Sequence, residues 1–196
     1  MFVAVKKDDG FLVGYSILDN CINMDESDTL LEDNIPVWKL RGKKGVLVIC
    51  KERDFASTLL KYNKKLFNFD ICDKEMYGGF VSRLKNFLRD YDLIDDKSNW
   101  SNELLIVNGD EAYIIDTDFS VTKITDYYSC GSWFRLTTGS LTESIGRNAE
   151  TRIVDAFRLV EKMRNCALFP ISIYDSRNGK RKIVRRSDLT CKLLYN

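Results

Sequence analysis

The feature that most constrains this chain is a β-hairpin that begins at its first residue. Phe2 to Val5 read as an apolar strand, Lys6 to Asp9 as a charged turn closing on Gly10, and Phe11 to Tyr15 as the returning strand. Chain ends usually fray, so a sheet starting at residue one implies a first residue held by its neighbours. With Lys6, Lys7, Asp8 and Asp9 inside the hairpin, the segment does not read as a signal peptide.

Further strands and helices follow in blocks. Pro36 to Leu40 and Gly45 to Cys50 read as a strand pair around the turn at Arg41. Phe55, Leu59, Tyr62 and Leu66 recur at helical spacing. Tyr77, Phe80, Val81, Leu84, Phe87, Leu88 and Tyr91 form one continuous apolar helix face. The sheet resumes at Glu103 to Val107, turns at Asn108-Gly-Asp, a strong hairpin signal, and continues through Ala112 to Ile115 and Val121 to Ile124. Ser129 to Leu141 pass from a strand end through Gly131 into a short helix. Ile153, Ala156, Phe157, Val160 and Met163 mark another helix, with Asn148 as its N-cap. Leu168 to Tyr174 is the last apolar strand. Strands, two helices, strands, two helices and a strand predict an α+β chain: two stacked antiparallel sheets with helices outside, a four-layer αββα sandwich. Two prolines and the lack of a low-complexity stretch argue against a linker, so residues 1–196 are expected to form one domain, with a basic C-terminal hairpin or tail at about 175–196.

Composition narrows the chemistry. The chain has no histidine, which excludes Ser-His and Cys-His triads and histidine-ligated zinc. Its six cysteines lie far apart with no C-x-x-C pair, so reduced core thiols and a cytoplasmic compartment are expected, with no cofactor or metal. No apolar run approaches the ~20 residues of a membrane span. Ser129, Cys130 and Ser132 around Gly131 raise the idea of a nucleophile at a helix start. With no histidine as base, a tight turn that needs small residues is the better reading. Asp73, Glu75, Asp90, Asp92, Asp95 and Asp96 fall at helix ends and polar faces, where solvated carboxylates are the expectation.

This ordered set resembles the proteasome β-type and HslV-type peptidases, N-terminal nucleophile hydrolases of the four-layer fold. MFVAVKKDDGFLVGY resembles their opening hairpin and PVWKLRGKKGVLVIC their next strand pair. ELLIVNGDEAYIIDTDFSVTKI with SCGSWFRLTTGSL resembles their second sheet block, and ALFPISIYDSR their last core strand. In that family an N-terminal Thr, Ser or Cys attacks, with its own amine as base. The resemblance places Met1 just after that position, Pro36 where a supporting lysine stands, and Tyr15 or Ser16 where an acid is expected. Three roles are unfilled, and no catalytic residue is assigned. Removal of Met1 would expose only Phe2.

Charge suggests what remains. Between Lys7 and Lys39 there is no basic residue and eight acids, including Asp25, Glu26, Asp28, Glu32 and Asp33. RNGKRKIVRR, by contrast, holds six basic residues in ten, among them Arg181, Lys182, Arg185 and Arg186. Opposite patches on one subunit favour head-to-tail contacts that close into rings. The expectation is a catalytically inactive, structural or self-assembling proteasome-like subunit, a homo-oligomer, with Trp38, Trp133 and Phe134 as apolar anchors. The alternatives are an active N-terminal nucleophile peptidase after processing, and a nucleic-acid accessory protein using the basic tail. Few aromatics flank that tail, which weighs against stacking on single strands. No membrane partner is expected.

Overall fold

The computed structural model describes residues 1–17, 37–39, 46–51, 54–63, 65–69 and 71–190. In chain order its elements are β1 (Phe2–Lys7), β2 (Gly10–Ser16), β3 (Val37–Lys39), β4 (Val46–Cys50), α1 (Phe55–Tyr62), a π-helical stretch (Glu75–Phe80) running into α2 (Val81–Asp90), then β5 (Leu104–Asn108), β6 (Glu111–Ile115), β7 (Val121–Lys123) and β8 (Tyr127–Cys130). These are followed by α3 (Phe134–Glu143), α4 (Ala149–Arg164), β9 (Ile171–Asp175), β10 (Arg181–Val184) and α5 (Arg186–Thr190). The α+β character, with two antiparallel five-stranded sheets and helices, is the expected one. The chain divides into two compact units, each holding one sheet. None of the helices among the described residues is long and apolar enough to cross a membrane.

The first unit carries the sheet β10-β9-β2-β1-β8. Val3 and Val5 of β1 pack with Ile153, Phe157 and Val160 of α4 and Leu141 of α3. The alternate residues Phe2 and Ala4 are buried as well, so the hairpin is apolar on both faces. Gly14 of β2 is required by this packing, because a Cβ there would collide with the Ile153 side chain. Asn148 caps α4 as expected, accepting from the Glu150 N–H at 2.9 Å and the Thr151 N–H at 3.4 Å. Met163, read as part of the apolar face, is exposed, since the helix core contact ends at Val160. Glu161 accepts from the Leu168 and Phe169 N–H groups (2.6 and 3.1 Å) and from Arg186 at 3.0 Å, tying α4 to the entry of β9 and to α5.

The second unit carries the sheet β3-β4-β5-β6-β7. The turn between β5 and β6 is the two-residue loop Gly109-Asp110, with Gly109 at φ +59. Met76, Phe80, Leu84 and Leu88 are fully buried in one cluster with Leu104, Ile106, Tyr113 and Ile115. Tyr77 was expected on that buried face and is 54% exposed. The π-helical stretch shifts the phase of the helix at its start, so Met76 faces the core and Tyr77 turns outward. The first helix differs too. Asp54 forms a capping box with Ser57, which sets a start that buries Ala56 and Leu60 and exposes Phe55 and Tyr62. That helix ends at Tyr62, and Leu66 and Phe67 reach the core from the following turn.

Candidate functional site

The hairpin delivers its first residue to a closely fitted position. Phe2 pairs with Tyr15 on one side and Cys130 on the other. The Ser16 N–H donates to the Met1 carbonyl at 3.4 Å. Beyond Cys130 the chain turns at Gly131, whose φ of +111 disfavours any side chain, and a Cβ there would lie 2.8 Å from the Met1 Cα. The Phe134 N–H then donates to the Gly131 carbonyl at 3.1 Å as α3 begins. Gly131 thus has two reasons to be glycine, its own backbone and that of Met1. The Met1 side chain is half-buried against the apolar cluster of the first unit. A first residue held against a small-residue turn before a helix is the arrangement the resemblance implies.

The residues weighed as substitutes around that turn do other work. Cys130 is buried. The Ser129 hydroxyl is 2.7 Å from that of Thr138 and donates to the Phe134 carbonyl at 3.1 Å, so it fastens β8 to α3. Ser132 is exposed in the turn.

The carboxylates of the second unit separate. Glu75 pairs with Arg83 at 3.0 Å. Asp95 accepts from the Lys97 and Asn99 N–H groups of its own loop. Among the described residues no three metal-ligating side chains converge. Asp73 belongs to a cluster the sequence reading missed. It accepts from the Tyr113 hydroxyl at 2.6 Å and from Lys123 at 2.9 Å, and Lys123 also donates to Glu111 at 2.8 Å. The Tyr113 and Lys123 bonds hold the Asp73 carboxyl below its ordinary range. Burial, then the Asp73 bond, pushes the Tyr113 hydroxyl upward. Bonds to Glu111 and Asp73 push the Lys123 ammonium upward. Lys123 is the cross-strand partner of Tyr113, and this alternation was readable. The reach of Asp73, forty positions away in sequence, was not.

The expected interface residues scatter. Trp38 lies in the core of the second unit, 9% exposed, with its ring edge-on to Phe67 at 6.0 Å. It therefore offers little surface as an anchor. Trp133 is half-buried beneath the Arg164 guanidinium (4.5 Å), while Phe134 is 48% exposed beside Arg135. Arg181 donates to the Ser172 hydroxyl at 2.6 Å, Lys182 to Glu150 at 2.6 Å and Arg186 to Glu161 at 3.0 Å. Arg185 is exposed. The basic run is thus partly neutralised by α4. Asp25, Glu26, Asp28, Glu32 and Asp33, like Pro36, lie outside the described residues.

No protein-family model matches the chain, and no curated protein matches it in sequence. Solved structures do match in fold. BPH from Thiobacillus denitrificans, a proteasome-like β-subunit homologue solved in complex with epoxomicin, superposes with a TM-score of 0.67 at 12% identity, over 94% of this chain and 97% of that one. Anbu, the ancestral β-subunit, from Yersinia bercovieri gives 0.65 at 12% identity over 98% and 90%. Anbu from Hyphomicrobium sp. strain MC1 gives 0.65 at 11% over 99% and 91%. The fold is proteasome-like.

Proposed function

We propose that the chain is a proteasome-like subunit without N-terminal nucleophile chemistry, which serves by assembling with further copies of itself. One observation carries the reading: the residue seated against Gly131 at the head of the hairpin is Met1. Its thioether supplies no hydroxyl or thiol to attack a carbonyl. Its side chain packs with apolar neighbours. A scaffold kept without its nucleophile is useful through its surface, and the likeness to proteins described as β-subunits supports a subunit's role.

The test is mass spectrometry of the intact purified protein with and without epoxomicin, the compound bound in the Thiobacillus structure, together with fluorogenic peptide cleavage and a solution mass. The expected result is an unchanged chain of 22.7 kDa, no adduct, no turnover and a mass of more than one copy. A shortened chain labelled at its new first residue would establish an active peptidase instead.

A further inference from the structure

Within the first unit, α4 faces β10 and α5 across a groove of about 640 Å³. Its floor is apolar: Val154 of α4 and Val184 of β10 are buried, and Leu189 of α5 is half-buried. Charges line the rest, and most are spent. Glu150 pairs with Lys182 at 2.6 Å and Asp155 with Arg147 at 3.5 Å. The Asp188 carboxylate accepts from the Arg185 N–H at 2.8 Å. Arg158 is the exception. It is exposed, and among the described residues its guanidinium has no ion pair or hydrogen bond. Two further exposed cations without such a partner stand near it. Lys162 lies one turn on from Arg158, on the same stripe of α4 as Val154, and the Arg185 side chain follows Val184. The rim thus sets Arg158, Lys162 and Arg185 against the single carboxylate of Asp188.

We propose that this groove binds an extended acidic peptide segment of a partner protein, one that carries leucine-type side chains beside its carboxylates. Such binding is separate from the self-assembly inferred above. The apolar floor takes the aliphatic side chains, whose burial supplies most of the affinity. The free Arg158 guanidinium takes a carboxylate, for which its planar fork is suited. Lys162 stands about 6 Å further along the helix, at 1.5 Å per residue. It takes the next acid, about two residues on in an extended chain. β10 is the end strand of its sheet, the kind of element along which an extended segment lies. A nucleic acid fits this groove less well. None of the lining residues is aromatic, so bases find no stacking platform, and Glu150, Asp155 and Asp188 oppose a continuous run of phosphates.

The probe is a fluorescein-labelled peptide, Leu-Leu-Ser-Glu-Ser-Glu, titrated with the full chain and read by fluorescence anisotropy. Saturable binding is expected, and replacing both peptide leucines by serine should abolish it. Arg158→Glu should raise the dissociation constant about tenfold or more, since a carboxylate then faces a carboxylate. The double variant Arg158→Glu/Lys162→Glu should instead bind the peptide with lysine in place of glutamate, because both pairs re-form with their signs exchanged. Circular dichroism and solution mass should match wild type for both variants, since neither side chain is tied to another among the described residues. No saturable binding, or no such exchange of preference, overturns the proposal. Equal binding of the serine peptide overturns it too, as charge attraction alone. A single-stranded oligonucleotide that displaces the peptide, and whose own binding is lost with Arg158→Glu, assigns the groove to nucleic acid. An Arg158→Glu chain of lower solution mass assigns it to a second copy. Both of these results overturn the peptide assignment.

Discussion

The seat of the first residue and the cluster around Tyr113 are opposite kinds of place. At the seat, backbone meets backbone: Gly131 against the Met1 Cα, the Ser16 N–H on the Met1 carbonyl, with apolar side chains around them. At the cluster, Asp73, Tyr113, Lys123 and Glu111 converge through hydrogen bonds of 2.6–2.9 Å, and the Asp73 carboxyl is held down while the Tyr113 hydroxyl and the Lys123 ammonium are pushed up. Perturbed titratable groups often mark functional sites. Here a perturbed cluster forms a fastening that ties Asp73, two residues before the π-helical stretch, to the sheet strands β6 and β7. The head of the hairpin, by contrast, carries the Met1 thioether among apolar neighbours. Coupled charges in this chain report architecture.

Three experiments bear on that contrast. The largest effect is expected from Gly131→Ala, which forces a side chain into φ +111 and toward the Met1 backbone. It should cost about 2–4 kcal/mol in chemical denaturation. A neutral result would mean that the seat is loose, and the contrast would fail. Tyr113→Phe removes one hydroxyl bond and leaves the Asp73–Lys123 pair. It should cost about 1 kcal/mol, and a much larger loss would make the cluster more than a fastening. The smallest effect is in pH dependence. Tyr113 and Lys123 titrate higher in the folded state than unfolded, so their stabilisation is full below the ordinary tyrosine range, near pH 10, and fades above it. Asp73 titrates lower when folded, so its share is present above the ordinary carboxylate range, near pH 4, and is lost as pH falls. Tyr113→Phe should flatten the alkaline limb and Asp73→Asn the acid one, read as unfolding midpoints across pH. Unaltered limbs would place the titration elsewhere.

Local signals in the sequence were reliable where local physics decided. The opening hairpin, the Asn108-Gly109 turn, the Asn148 cap and the strand-to-helix passage at Gly131 all formed as read. Each depends on residues within a few positions. Reading failed where the phase or extent of a helix departed from simple periodicity. Tyr77, Phe55, Tyr62 and Met163 carry apolar surface at helical spacing and yet face outward. The π-helical stretch sets the phase at Tyr77 and the capping box at Asp54 the start of the helix that carries Phe55 and Tyr62, while Met163 lies past the last core contact of α4 at Val160. Trp38 looked like an anchor for a partner, but its ring packs on Phe67, which reaches it from the turn after α1.

What the sequence by itself determined is the order of elements, the antiparallel pairing of adjacent strands, and the identity of the residue at the head of the hairpin. Those follow from alternation, turn chemistry and the order of residues in the chain. Only the tertiary structure decided which charges are spent within the chain. Lys182 and Arg186 reach Glu150 and Glu161 across 32 and 25 positions, and Asp73 reaches Tyr113 across 40. A charge run in sequence carries no information about its partners. Pairing is set where distant segments pack side by side, and that packing pairs Lys182 and Arg186 of the basic run with acids of α4.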